Sequence, residues 1–127
     1  MNNSEELIYR ILIDPKVSPK IKKSIIKSFD KNNVNSICEL VLNVLNRNIP
    51  ISQEAFNKLI PHAKYCRKIL NRKLKIKEKK KIILTRGIQR GGFLQFIIPA
   101  ILSTIGSIAS TVIGKALTKK ENESETN

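Results

Sequence analysis

The sequence predicts an all-α protein in which a small helical bundle is followed by a basic helix and then by an apolar helix. Apolar residues recur at helical spacing through the first 74 residues, with proline and cap residues between the segments. No long stretch alternates with a period of two, and Asn-Gly or Asp-Gly hairpin signals are absent. Because 127 residues suffice for one modest core, we expect one domain with tails. The expected parts are the bundle over residues 1–74, a basic linker or helix over 75–92, an apolar helix over 93–118 and a disordered polar tail over 119–127.

Two short helices are predicted at the start of the chain. Asn3 and Glu6 have the spacing of a capping box, and the helix that they open is expected to end at Pro15. Ser18 precedes Pro19, which places a cap residue before a proline in the first helical position. We therefore expect the second helix to begin there.

The next helices are predicted from further cap residues. Ser36 and Glu39 form a second capping-box pattern, and the apolar helix that follows is the expected centre of the core. Ser52 is the expected cap of a helix that is apolar on one face and basic on the other. Pro61 falls inside that pattern and predicts a kink or a break into two helices.

The positive charge is concentrated in one short stretch. The formal net charge is +14, of which residues 1–63 contribute +3, residues 64–90 contribute +11 and residues 91–127 contribute none. Twelve basic residues stand in residues 64–90 against one acidic residue, Glu78. A short helix is predicted from Lys75 to Leu84, and its polarity indicates that it is solvated until a partner binds.

This charge density favours a polyanionic partner, because the counterions released on binding make phosphate contacts favourable. An ordinary solvated helical face is the alternative interpretation. Lysine outnumbers arginine here and no pattern of base-reading side chains stands out, so we expect binding to the DNA backbone without sequence specificity. The candidate nucleic-acid-binding residues are Lys64, Arg67, Lys68, Arg72, Lys73, Lys75, Lys77, Lys79, Lys80, Lys81, Arg86 and Arg90.

An uncharged run of 22 residues, Phe93–Gly114, follows Gly91 and Gly92. At about 1.5 Å per residue, a helix of this length crosses a hydrocarbon core of about 30 Å. Small residues also recur every fourth position, as in helices that approach closely in lipid. Membrane activity, stable anchoring and packing in the core all fit this pattern, and we expect the two glycines to act as a flexible joint. The candidate membrane or helix-association residues are Phe93, Leu94, Ile97, Ile98, Ile101, Leu102, Ile105, Gly106, Ser110 and Gly114.

Enzymatic and metal chemistry lack the residues that they require. His62 is the only histidine, and neither Cys38 nor Cys66 has a second ligand at metal-binding spacing. The glycines between Arg86 and Gly92 lack the Lys-Ser/Thr pair of a phosphate-binding loop. We therefore expect no catalytic residue, no metal and no cofactor. The acidic N-terminal sequence argues against a signal peptide, so we expect reduced cysteines in a reducing compartment.

Two stretches and the lysine-rich run between them resemble a known group of proteins. The sequence ICELVLNVLNRNIPIS at residues 37–52 and the sequence RGGFL at residues 90–94 resemble small basic proteins of Maverick/Polinton elements and adintoviruses. The tail looks like the end of the adenovirus core peptide X, or mu. Many relatives have proline in place of Gln95, and the maturation protease of that family prefers glycine in place of Arg90. The resemblance implies condensation of DNA inside a virus particle and membrane activity of the apolar end.

Together these patterns predict a non-enzymatic virion core or minor capsid-associated protein that binds and condenses DNA. The expected partners are DNA, a membrane, and a second copy of the chain or capsid proteins. The expected location is the virion and the host nucleus or cytoplasm, with membrane association. One alternative is a membrane-anchored or membrane-disrupting protein that uses the same cations on anionic lipid headgroups. The other is a helical protein-interaction module.

Overall fold

A computed structural model describes residues 3–103 of the chain. Within that range a 3₁₀ turn, Ile60–His62, follows the helix Gln53–Leu59, and a π-helical turn, Ile83–Gly87, follows the helix Ile76–Ile82. Residues 94–103 are helical as well. Residues 3–103 contain no strand, so the all-α prediction is confirmed. The helices are α1 (Asn3–Ile13), α2 (Pro19–Lys27), α3 (Lys31–Leu45), α4 (Gln53–Leu59), α5 (Ala63–Ile69) and α6 (Ile76–Ile82).

Local hydrogen bonds fix two of the predicted helix starts, and a proline fixes the predicted break. The Ser18 hydroxyl oxygen accepts a hydrogen bond from the backbone N–H of Ile21 at 3.3 Å, at the start of α2. The Ser52 hydroxyl oxygen accepts from the backbone N–H of Ala55 at 3.1 Å, at the start of α4. Pro61 lies in the 3₁₀ turn between α4 and α5. These features depend on neighbouring residues alone, which is why the sequence predicts them.

The predicted start of α3 at Ser36 is wrong, because the helix begins at Lys31. The Asp30 side chain accepts from the backbone N–H of Asn33 at 2.9 Å, and the Asn33 side chain accepts from the backbone N–H of Asp30 at 3.0 Å. This reciprocal pair satisfies two donors at the helix start. The Ser36 hydroxyl lies inside the helix and donates to the Glu5 carboxylate at 3.2 Å.

One cluster of buried side chains extends through the described part of the chain. α3 contributes Val34, Ile37, Val41 and Val44, none of which is measurably exposed. Residues on both sides of the predicted boundary at 74 and 75 belong to the cluster, so that boundary does not divide the core. The other members are Tyr9, Leu12, Ile26, Phe29, Leu59, Cys66, Ile69, Ile83, Ile88, Phe93, Leu94, Ile97, Ile98 and Leu102.

The basic helix α6 is packed against the protein, which corrects the expectation that it is solvated. It contacts α3 and α5, and Ile83 just beyond its end is fully buried. Ile76 is partly buried against the same core. These two isoleucines are seven residues apart, and therefore lie on one face of a helix. That face anchors α6, and two of its four lysines, Lys77 and Lys81, remain exposed.

The pair Gly91 and Gly92 forms a packed turn, where the sequence predicts a flexible joint. Gly91 has a positive φ of 77° and donates its N–H to the Gln95 side chain at 2.8 Å. Gly92 is buried, and a Cβ there would overlap the Gly87 carbonyl oxygen and lie 2.7 Å from that of Arg86. The turn therefore requires glycine for two different reasons, a backbone conformation at one position and a close approach at the next.

The first part of the uncharged run lies in the core. Phe93, Ile97 and Ile98 are fully buried, and Leu94, Ile101 and Leu102 are exposed by 8% or less. The remaining candidates, Ile105, Gly106, Ser110 and Gly114, and the predicted boundary at residues 118 and 119 lie outside the described residues. No helix within residues 3–103 is both long enough and apolar enough to cross a membrane.

Candidate nucleic-acid interface

Ten of the twelve candidate nucleic-acid-binding residues are exposed, and two are not. Lys79 is buried, with 8% of its surface exposed, and lies near the Cys38 thiol. Lys80 is half-buried, and its ammonium group donates hydrogen bonds to two backbone carbonyl oxygens. The structure therefore leaves Lys64, Arg67, Lys68, Arg72, Lys73, Lys75, Lys77, Lys81, Arg86 and Arg90 accessible to a ligand.

Lys80 attaches α6 to the end of α2. Its Nζ donates to the carbonyl oxygen of Lys27 at 2.7 Å and to that of Phe29 at 2.9 Å. The last carbonyl groups of a helix have no partner inside the helix, and a cation there is stabilising. The contact brings Lys27, the last residue of α2, beside the lysines of α6.

The lysines in and flanking α2 form a second basic cluster that the sequence prediction missed. Six lysines stand between residues 16 and 31, and the only acidic residue among them, Asp30, caps α3. The net charge summed over residues 1–63 is small because acidic residues elsewhere offset these lysines. The net charge summed over residues 16–31 alone, about four helical turns, is strongly positive. The exposed members are Lys16, Lys20, Lys23, Lys27 and Lys31.

Two depressions lie beside α2, and both include Leu84. The first, which we name the basic groove, is lined by Lys27, Ile76, Glu78, Leu84 and the lysines at 75, 77, 80 and 81. The second, the α2 groove, lies between the start of α2 and residues 88–99, and its cations are Lys22, Lys23 and Arg90. Cations from two distant stretches of sequence, residues 22–27 and 75–90, thus line two depressions that share Leu84.

Protein carboxylates do not neutralise this surface within residues 3–103. The ion pairs there are Arg10 with Glu6 at 3.1 Å and Lys58 with Glu54 at 3.8 Å, neither of which involves residues 64–90. The Glu78 carboxylate accepts from the backbone N–H of Lys75 at 3.3 Å, at the start of α6. The exposed lysines and arginines therefore depend on solvent ions for compensation, and a polyanion that displaces those ions gains entropy.

None of the six aromatic side chains of the chain is exposed. Tyr65, the one in the basic segment, is covered by the Arg86 guanidinium at 4.6 Å from the ring centroid, a cation–π contact that holds Arg86 in place. Phe56 is covered in the same way by Arg47 at 4.0 Å. The described surface therefore has no aromatic platform on which an unpaired base could stack.

The two cysteines and the histidine are buried or half-buried in the fold. Burial raises the pKa of the Cys66 thiol to about 12. Burial also raises the pKa of Cys38, an effect that nearby Lys79 partly offsets, and the Cys38 thiol donates to the Ile69 carbonyl at 3.4 Å. His62 lies 6.1 Å from the Phe96 ring. In the part of the chain that the structure describes, no group of three His, Cys, Asp or Glu side chains is placed to hold a metal ion.

Comparison with known proteins finds no family model, no curated protein and no solved structure that matches this chain.

Proposed function

We propose that the protein is a non-enzymatic DNA-binding protein that contacts the phosphate backbone through a composite basic surface. The observation that carries the proposal is the placement of exposed cations from residues 64–90 beside the exposed lysines of α2, with no ion pair between these cations and a carboxylate of residues 3–103. Such a surface binds phosphates strongly at low salt, since each contact releases a condensed counterion.

The chemistry of the surface favours duplex DNA and disfavours sequence recognition. Lysine ammonium groups bind phosphate as point charges, whereas base recognition uses bidentate arginine, asparagine or glutamine side chains. Single strands are bound by exposed aromatic rings, and all six rings here are buried or half-buried. The protein therefore reads charge and spacing of the backbone rather than base identity.

The viral setting of the proposal comes from the resemblance to small basic proteins of Maverick/Polinton elements and adintoviruses. In that setting the protein condenses DNA in the virion core, and the host nucleus or cytoplasm is where it meets its DNA. In this proposal the helices form a bundle, and the apolar run expected over residues 93–118 begins with the described helical residues 94–103. Burial of Phe93, Leu94, Ile97 and Ile98 supports a role for the start of the apolar run in the fold, while the later part of the run associates with a second copy, a capsid protein or a membrane.

Matched triple substitutions test the proposal on the full chain. Lys75→Gln/Lys77→Gln/Lys81→Gln removes three exposed cations from α6 and its flanks, and Lys20→Gln/Lys23→Gln/Lys27→Gln removes three from α2. Arg10→Gln/Arg47→Gln/Lys58→Gln is the control, because it removes equal charge from residues engaged by Glu6, Phe56 and Glu54.

We expect each of the first two variants to weaken binding to a 30-base-pair duplex at least tenfold at 100 mM salt, and to reduce the salt slope by about 1 for each lysine removed. The control is expected to lose less than threefold. Equal losses in all three variants would contradict a localised surface. The same variants on anionic vesicles test the lipid alternative, which tighter binding to vesicles than to DNA would favour.

A further inference from the structure

The α2 groove contains a feature that binding to DNA phosphates does not use. Lys22 lines this groove with only 8% of its surface exposed. Its side chain makes no hydrogen bond and no ion pair with any residue between 3 and 103. A mostly buried lysine that no protein acceptor engages is stabilised when an anion occupies the groove that it lines.

Two further cations and an aliphatic wall complete the groove. Lys23 and Arg90 are exposed at the same depression, and Ile13, Val17, Leu84 and three prolines supply apolar surface. The cavity has a volume of about 720 Å³, within the range of sites that hold small molecules. The ligand that suits this lining has negative charge at one end and hydrocarbon at the other.

We propose that the α2 groove binds an amphiphilic anion, a molecule with a carboxylate or phosphate head and an aliphatic chain. Lys22 contacts the head, with Lys23 and Arg90 beside it, and the chain lies along the aliphatic wall. This inference does not depend on the DNA-binding proposal, because it uses a buried lysine and an apolar wall that a duplex does not contact.

The lining favours this ligand over a nucleotide and over a peptide. No aromatic ring lines the groove, so a nucleobase has no stacking partner. A peptide backbone needs hydrogen-bond partners, and a buried amide left unpaired is unfavourable. The side-chain oxygen Oε1 of Gln95, which lines the groove, already accepts a hydrogen bond from the Gly91 N–H at 2.8 Å. A hydrocarbon chain makes no such demand.

Calorimetric titration of the full-length protein with sodium laurate, below its micelle concentration, tests the proposal. We expect saturable binding of one laurate per chain. Lys22→Met removes the charge but keeps an unbranched apolar side chain, and we expect it to weaken binding at least tenfold. Lys20→Met is the matched control, since Lys20 is exposed on the same helix and does not line the groove, and we expect a change below twofold.

Further ligands test the contributions of the head and of the chain, and distinguish a free fatty anion from a membrane lipid. Butyrate, which has the head without the chain, and inorganic phosphate are expected to bind at least tenfold more weakly than laurate. Vesicles of dioleoylphosphatidylglycerol identify the source: binding that Lys22→Met weakens indicates a membrane lipid, and laurate binding without vesicle binding indicates a free fatty anion. Either outcome supports the site.

The proposal is overturned if laurate binding is not saturable, or if Lys22→Met and Lys20→Met weaken it equally. Tighter binding of an acidic aliphatic peptide than of laurate, lost in Lys22→Met, overturns it in favour of a peptide site. Circular dichroism monitors folding of each variant. If Lys22→Met does not fold, Lys23→Gln/Arg90→Gln replaces it, because both residues are exposed at the groove, and the same tenfold loss is expected.

Discussion

Lys80 shows that a residue counted as a phosphate contact by its charge can instead be part of the fold. Its ammonium group bridges the carbonyl oxygens of Lys27 and Phe29, at 2.7 and 2.9 Å, where α2 ends. Its neighbour Lys81 is exposed and makes no comparable contact with residues 3–103. The two adjacent lysines therefore differ in role, because only the Lys80 ammonium group donates to carbonyl oxygens at the end of α2.

We expect Lys80→Met to lower the free energy of unfolding by about 1–2 kcal/mol, since it removes two hydrogen bonds from a charged donor. Lys81→Met is the control and should change it by less than about 0.5 kcal/mol, because the side chain is exposed. Urea denaturation of both variants measures the difference. Equal stability of the two variants would contradict a structural role for Lys80.

Cys66 and Tyr9 couple stability to alkaline pH. Burial raises the pKa of each to about 12, with Glu5 and Glu39 adding to the effect on Tyr9. A raised pKa in the folded state means that the unfolded state loses its proton first. Stability from these groups is therefore complete below their ordinary pKa values of 9.0 and 10.0, and is lost as the pH rises toward 12.

Comparing the full chain with its Cys66→Ala variant isolates the thiol, because titration of the lysines is common to both. Between pH 8 and pH 10.5 the parent chain should lose on the order of 1–2 kcal/mol more stability than the variant. Denaturation at the two pH values measures this difference in stability.

In native protein at pH 8, a thiol reagent should modify Cys38 well before Cys66. Rapid modification of Cys66, or a parallel loss of stability in both proteins, is the contrary result.

At the scale of elements, the turn at Gly91 and Gly92 determines how the chain leaves the basic segment. The Phe93 N–H donates to the Arg86 carbonyl at 3.1 Å, so the turn returns the chain to the π-helical turn before residues 94–103 begin. The Gln95 side chain accepts from the Gly91 N–H at 2.8 Å, which closes the turn on its C-terminal side. The turn thus directs the start of the apolar run toward the core, where Phe93 and Leu94 are buried.

Gly92→Ala should destabilise the protein by about 1–3 kcal/mol, because its Cβ would overlap backbone atoms that cannot move aside cheaply. Gly91→Asn is the matched control. Asparagine tolerates a positive φ, and a Cβ at Gly91 meets nothing within 4 Å, so the expected cost is below about 1 kcal/mol. Thermal unfolding compares the two variants. Equal melting temperatures for the parent chain and Gly92→Ala would show that the turn is loose, as the sequence alone predicts.

Local features of the elements could be predicted from sequence, whereas tertiary ones could not. Ser18, Ser52 and Pro61 act on their own helices, and their roles follow from residue type and spacing. Ser36 misled the prediction of α3 because Asp30, six residues earlier, forms a competing reciprocal cap with Asn33. The burial of α6 depends on contacts with α3 and α5, which no local pattern shows.

At the scale of the whole molecule, the candidate site combines charge from two distant stretches of sequence. The concentration of cations in residues 64–90 was visible in the sequence, and ten of the twelve side chains are exposed. The contribution of α2 was not predicted, because its proximity to α6 arises from the Lys80 contact across more than 50 residues. The buried position of Lys22 likewise depends on tertiary packing.

The dependence of DNA affinity on salt concentration tests the central claim most directly. The full chain is titrated onto two 30-base-pair duplexes of unrelated sequence between 50 and 200 mM salt, with fluorescence anisotropy as the readout. Binding through six or more phosphate contacts predicts a loss of affinity of about a thousandfold or more over this range, and a difference below threefold between the two duplexes. A loss below tenfold, or a preference above tenfold for one duplex, would contradict it.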